Sequence, residues 1–415
     1  MSRQEVVTFF EKKVTKKTFA PAGVGGWRGF HRLRWRRLKA CKRPTPAAYK
    51  SFLLPRAGRL FFKREILACL ACVFPFVAQA DTIEALSSPA LTVRAPSRVV
   101  LIALANAGPR IVAAGEHGVI IYSDDDDKTW AQACVPVDLT LTALAFATPR
   151  IGWAAGHYGA VLRTQDGGRT WQLQLDGNQA NQLTAAAAAA AQAVPGASPA
   201  VPLAAVRASH FLADGPDKPF LSILAENPDR VTVFGAYRMA MHSDDGGKTW
   251  TDWSLRVGDR LSHHLYDAAV IGRQICIAAE AGNVFCSSDA GQSFPAVTSP
   301  GPATLLGLLP TGDGGMLAYG VAGLADRSAD GGQTWSSVAL GAQSNITCGR
   351  VLKSGAILVG GEDGSLYVSA DHGRHFHGFG QSVPMAIFDL IQAASGSIIL
   401  AGSGGILVLP ARGAS

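Results

Sequence analysis

One octapeptide recurs six times along this chain, and no other feature limits its fold as tightly. The copies are SDDDDKTW (123–130), TQDGGRTW (164–171), SDDGGKTW (243–250), SSDAGQSF (287–294), SADGGQTW (328–335) and SADHGRHF (369–376), on the template S/T-x-D-x-G-x-S/T-W/F. An apolar stretch and a tight turn precede each copy, and a seventh such hairpin, LAGSGGILVLP (400–410), closes the chain without an octapeptide. The turns are led by Gly115, Gly156, Gly235, Ala279, Gly320, Gly360 and Gly402, spaced 41, 79, 44, 41, 40 and 42 residues apart. Apart from the long second step, this is the period of a four-stranded antiparallel blade. The expected fold is therefore all-β, a seven-bladed β-propeller of four-stranded antiparallel blades.

The octapeptide reads as a conformational device. Its Ser or Thr hydroxyl and its Asp carboxylate can both accept from backbone N–H groups of a tight turn, its glycine takes φ > 0, and its aromatic ring plugs the gap to the sheet. The residues assigned to this structural role are Ser123, Asp125, Thr129 and Trp130; Thr164, Asp166, Gly168, Thr170 and Trp171; Ser243, Asp245, Gly247, Thr249 and Trp250. The later copies supply Ser287, Asp289, Gly291 and Phe294; Ser328, Asp330, Gly332, Thr334 and Trp335; and Ser369, Asp371, Gly373 and Phe376. In the first copy Asp127 stands where the others have glycine, and aspartate enters the left-handed region more readily than most side chains.

The long step contains an insertion over residues 176–220, between blades 2 and 3. Ala185 to Ala191 is a strong helix former, PGASPAVP breaks it, and LAAVRASHFLA (203–213) is set for a second short helix. An eighth blade is the competing reading, and it lacks an octapeptide, a glycine hairpin and β-branched alternation. In an up-and-down blade, the turn after strand two and the link to the next blade share a face, opposite the octapeptide turns. The insertion then shares its face with Glu116, His117, His157, Tyr158, Tyr237, Arg238, Glu362 and Asp363 from the glycine turns, and with His263 and His264 from a link. That face is the candidate partner-binding surface. The last blade ends at the chain terminus, so residues 83–94 are expected to supply its outer strand and close the ring.

Charge is divided unevenly. Of 38 Lys and Arg, 18 lie at or before Arg64, while residues 1–80 hold only Glu5, Glu11 and Glu65; residues 81–415 carry 20 basic against 28 acidic groups. The repeat region is acidic, which argues against a nucleic-acid partner. Lys63-Arg64, the apolar run ILACLACVFPFVA (66–78) and Ala78-Gln79-Ala80 form the three parts of a secretory signal peptide cleaved near Ala80. The expected organisation is a basic extension over 1–62, with an early start codon or a bipartite transit peptide as its origin, a signal peptide over 63–80, and the propeller over 81–415. A lipobox over Ile66 to Cys69 fits poorly because almost no apolar run precedes it. Cys276 and Cys286 flank the turn at Glu280 to Asn283, and two readings stand: a cross-strand disulfide in an exported protein, or two separate core cysteines.

The patterns that carry chemistry are missing. No C-x-x-C survives processing, no zinc or EF-hand spacing occurs, and Ser-His-Asp and P-loop patterns are absent. The histidines of the candidate face form a metal site only if the ring brings them together. Neither a metal nor another cofactor is expected, and no small-molecule substrate. A sialidase needs an arginine triad and a Tyr/Glu pair, and other glycosidases need two placed carboxylates; here the acidic residues sit mainly in the octapeptides.

The octapeptides resemble the Asp-box, or BNR, repeats of sialidase-like propellers. With G-W-A-A-G-x-x-G-x-V-x-R-T-x-D-G-G-x-T-W over Gly152 to Trp171, the chain is more narrowly similar to the photosystem II stability and assembly factor family, over roughly residues 95–410. The resemblance implies an exported, non-enzymatic monomer that assists assembly or stability of a membrane protein complex, in the periplasm or, in a phototroph, the lumen. Similar propellers of non-photosynthetic Gram-negative bacteria look like partners of RND-type transporters, and the Ala-rich insertion with ADGPDKPFL (213–221) resembles that branch. The alternative class is an Asp-box glycoside hydrolase, sialidase-like or xyloglucanase-like, since the box is shared by both.

Overall fold

Seven small antiparallel sheets follow one another along the chain. The computed structural model describes residues 83–195, 200–380 and 382–411, so the basic extension and signal peptide expected over 1–80 lie outside the described residues. The first strands of the sheets are Leu101–Ala107, Leu141–Phe146, Phe220–Ala225, Leu265–Ile271, Leu305–Pro310, Ile346–Val351 and Ile387–Gln392. Within each sheet the strands pair in chain order, each with the next. Second strands such as Arg110–Gly115, Val231–Gly235 and Ile357–Gly361 are buried along their whole length. A sheet covered on both faces needs such unbroken apolar runs.

Those faces meet in seven apolar clusters. One joins each pair of successive sheets, for example Val112, Leu141, Leu162 and Trp171 between the first and second. The seventh packs Ile391, Ile399 and Ala401 of the last sheet against Leu101, Leu104 and Ile111 of the first, closing the ring. At this seam the Leu104 N–H donates to Asp389 Oδ2 over 2.8 Å. On the octapeptide side, Asp126 accepts from the N–H groups of Ala394 and Ser395. The seven first strands line one central cavity of about 760 Å³.

Two expectations need correction. The fourth and seventh sheets have three strands, not four. In the fourth, the outer strand is reduced to the bridge between Phe285 and Ala296. Residues 83–94 do not form an outer strand for the last sheet: after one helical turn at Glu84–Ser87 they run along the first. There the N–H groups of Ala90, Leu91 and Val93 donate to Val135 O, His117 O and Gln132 Oε1. Only Pro96–Arg98 reaches the last sheet, where the Ser97 carbonyl closes on Gly405. The ring is held by side-chain packing and by hydrogen bonds of Asp389, Asp126 and Arg350 across the seam, with no exchanged strand among the described residues. The open choice over the cysteines is resolved as well: Cys276 and Cys286 are buried, directly opposed on adjacent strands and joined by a disulfide.

Two helices fill the insertion, α1 (Gly177–Gln192) and α2 (Ala200–Asp214). A capping box sets the start of α1: the Asp176 carboxylate accepts from Gln179 N–H, and the Gln179 side chain accepts from Asp176 N–H. The pair is tied by Asn181 Nδ2, which donates to the carbonyls of Phe211 and Gly215. Ala188, Ala204 and Ala208 pack between the helices against Leu255.

Candidate functional site

The octapeptides behave alike in all six copies. In the second, Thr164 Oγ1 donates to Asp166 Oδ1 and accepts from Gly168 N–H, both over 2.9 Å, while Asp166 accepts from Thr170 N–H and Oγ1. Hydrogen bonds from Thr129, Ser293 and Thr334 hold Asp125, Asp289 and Asp330 at a pKa of about 2, so their carboxylates are committed to the turn. In the sixth copy His375 Nδ1 takes the place of the hydroxyl on Asp371. The aromatic plugs differ in depth: Trp171, Trp250 and Phe294 are buried, whereas Trp130, Trp335 and Phe376 are half-buried.

The central cavity is lined by two acidic groups, Asp267 and Asp389. Asp267 accepts from Leu308 N–H, Ala268 N–H and Ser222 Oγ. Asp389 accepts from Leu104 N–H, Leu390 N–H and Arg350 Nη2. Thr142 and Thr347 donate across to the carbonyls of Phe220 and Ile387. Each of these side chains fastens one first strand to the next, and burial raises the pKa of both aspartates. Arg350 is the one arginine among the residues that line the cavity.

The opposite rim, with the glycine turns, is different. In every sheet the turn donates an N–H to the carbonyl just before the first strand, from Glu116 to Val100 O through Ser403 to Ala386 O. The turns and the inter-sheet links therefore share one face, and the helical pair rises from it between the second and third sheets. Close approach explains the leading glycines: a Cβ on Gly115, Gly156 or Gly235 would lie 2.0–2.2 Å from a carbonyl oxygen. Next come two left-handed residues, the second of which is Gly118, Gly159, Gly282 or Gly323 in four of the turns. In the third turn that position is Arg238, at φ 63° after Tyr237 at φ 52°. A non-glycine residue there costs about 1 kcal/mol, so this turn bears strain that its siblings avoid.

Around that turn the structure gathers four of the predicted residues. Tyr237 N–H donates to His264 Nδ1 over 3.0 Å, and the two rings meet edge to face at 4.7 Å. Arg238 N–H donates to His263 O, and its Nη1 contacts Asp259 O. His263 Nδ1 lies 3.0 Å from Asp259, and His264 N–H donates to Glu280. From α2, Arg207 Nη1 donates to Tyr237 O and Phe211 packs against the Tyr237 ring.

The other predicted residues do not join that cluster. His117 pairs with Asp138 at 2.9 Å, beside Glu116. His157, whose pKa burial lowers, and Tyr158 stand at the foot of α1, where the Tyr158 carbonyl meets Gly177. Glu362 accepts from Asn345, and Asp363 from Ser365. Among the described residues no three His, Cys, Asp or Glu side chains converge as a metal site.

Sequence reasoning missed Arg207, Phe211, Asp259 and Glu280. Two signals were available: apart from His210, Arg207 is the sole ionisable residue between Gly177 and Ala213, and Tyr237-Arg238 breaks the x-Gly pattern of its sibling turns.

No family model matches the chain. Over 63 residues, 14% of this chain and 18% of the relative, it is 40% identical to the photosystem II assembly protein Ycf48 of Thermosynechococcus vestitus. The match thus spans less than a fifth of that relative's length. Among solved structures, Ycf48 bound to a D1 peptide superposes with a TM-score of 0.56 at 14% identity, covering 79% of this chain and all of that one. The shared fold is a β-propeller. Ycf48 from Cyanidioschyzon merolae gives a TM-score of 0.55 at 12% identity over 75% of this chain and 96% of its own. The WD40 β-propeller domain of Doa1 gives 0.56 at 12% identity over 79% and 97%. The chain is thus similar to Ycf48 assembly factors, by a short stretch of sequence and by fold.

Proposed function

We propose that this chain is a non-enzymatic, exported seven-bladed propeller that holds another protein and serves as an assembly or stability factor for a membrane protein complex. In a host without photosystems the partner is an RND-type transporter subunit, and the protein works in the periplasm as a monomer. The observation that carries this reading is the asymmetry of the two rims. On the octapeptide rim the box carboxylates are spent on turns, whereas the glycine-turn rim bears a helical pair beside a strained, arginine-bearing turn. A relative of the same fold, Ycf48, has been solved with a D1 peptide bound, which supports peptide holding as the mode of action. The disulfide between Cys276 and Cys286 suits an oxidising compartment.

The test is affinity capture from detergent-solubilised host membranes with the tagged protein. One membrane-complex subunit is expected in stoichiometric amount, and loss of capture on deleting 178–215. Capture of nothing by the intact protein, or cleavage of sialosides or β-glucans by it, would overturn the reading.

A further inference from the structure

Arg207 and Arg238 are both buried, at 9% and 5% exposure, yet neither forms an ion pair with a carboxylate among the described residues. Each guanidinium spends Nη1 on a backbone carbonyl, Tyr237 O for Arg207 and Asp259 O for Arg238. The Nε of each is buried without a hydrogen-bond partner among the described residues, and neither Nη2 makes a hydrogen bond there. The nearby acids are already engaged: Asp252 by Thr184 and Ser254, Asp259 by Leu261 and His263. Burial and, to a lesser extent, the charge of Arg238 push the Arg207 pKa down to about 10, against the opposing pull of Asp252 and Asp259, which act on Arg238 as well. A buried guanidinium with an unpaired Nε and no direct ion pair is costly, and Arg238 adds backbone strain at a position where sibling turns use glycine.

The helical surface beside them is nearly free of charge: apart from Arg207, residues 177–213 hold no Lys, Arg, Asp or Glu, and exposed Arg260 borders it on the link. On α2 the exposed Leu203 and Val206 flank Arg207, and Tyr237 and Leu261 stand exposed on the turn and on the following link. On α1 the outward residues include Ala186, Ala189 and Ala190. Depletion of charge around a desolvated arginine, with tyrosine beside it, is the composition of a protein-interface centre. A helix that docks on lipid would instead carry several exposed Lys or Arg at its border.

We propose that the Arg207–Arg238 pair and the uncharged helical face beside it receive a carboxylate carried on an apolar segment of a partner protein. The planar carboxylate accepts from the Nη2 groups, while its apolar neighbours cover Leu203, Val206 and Tyr237. This inference rests on the protein-holding function and specifies its chemistry.

The experiment uses three fluorescein-labelled heptapeptides of leucine and alanine, read by anisotropy. One has a free C-terminal carboxylate, one is amidated with a central glutamate, and one is amidated with glutamine instead. At least one carboxylate peptide is expected to bind about tenfold or more tighter than the glutamine peptide, and to lose that margin in Arg207→Met and Arg238→Gly. Which of the two binds identifies the source of the carboxylate. Arg238→Gly, which restores the glycine of the sibling turns, is also expected to raise the Tm by about 2 °C or more. Equal or undetectable binding of all three peptides, undiminished binding by Arg238→Gly, a lowered Tm in that variant, or preferential binding to phosphatidylglycerol vesicles would overturn the proposal. Equal capture of a membrane partner by wild type and Arg238→Gly would also sink it, leaving the assembly-factor reading intact; no capture by wild type would sink that reading instead.

Discussion

Replacing the aromatic plugs by alanine should destabilise the ring in an order set by depth. Trp171 is 4% exposed, packs with Val112, Leu141 and Leu162, meets Phe146 edge to face at 6.1 Å, and donates Nε1–H to Gly168 O over 3.0 Å. Burying a tryptophan removes roughly 200 Å² from water, worth about 5 kcal/mol at roughly 25 cal/mol per Å². Alanine keeps part of that and the walls close in part, so Trp171→Ala should cost about 3–5 kcal/mol. Trp250 is nearly as deep but its Nε1–H has no hydrogen-bond partner among the described residues, so Trp250→Ala should fall about 1 kcal/mol below Trp171→Ala. Trp335 is half-buried, and Trp335→Ala should cost only about 1–2 kcal/mol. Urea unfolding followed by far-UV circular dichroism measures all three. A Trp171→Ala protein as stable as wild type, or a reversed order, would refute the view that these rings are packing elements.

Three further outcomes follow from the bonds described above. Asp389→Ala leaves the buried Leu104 N–H without its acceptor and Arg350 without its carboxylate, and should cost about 2 kcal/mol by the same urea assay; an unchanged midpoint would mean the Asp389 bonds add nothing to ring closure. The box aspartates Asp125, Asp289 and Asp330 titrate near 2 when folded, below the usual 3.8, so the stability they lend is complete above about pH 4 and lost as pH falls toward 2. Thermal melts across that window should show the loss, and Asp330→Asn should show a smaller one; an equal loss in that variant would count against the box bonds. Replacing both Cys276 and Cys286 by alanine opens a ten-residue separation and should cost about 2–3 kcal/mol, read from the urea midpoint.

Much of the ring was legible because its signals are local. The octapeptide specifies hydrogen bonds inside eight residues, and the turn leaders mark where backbone meets backbone, so both recur wherever the sheet recurs. Strand parity alone put the insertion on the glycine-turn rim, since alternating strand direction allows no other side. The outer strands were not legible: residues 83–94 have no pattern that tells pairing with the last sheet from lying along the first, and the choice is made by Ala90, Leu91 and Val93 finding acceptors there. The candidate site was half legible. Tyr237, Arg238, His263 and His264 could be placed on one face from the repeat, but their convergence with Arg207 depends on how α2 packs, which no periodicity in an alanine-rich stretch encodes.

The most direct test of the account is hydrogen exchange of the protein with and without its captured partner. Protection should concentrate on residues 177–214, on the turn at 235–239 and on the link at 259–264, leaving the octapeptide turns unchanged. Protection centred on those octapeptide turns, with the helical pair unaffected, would contradict it.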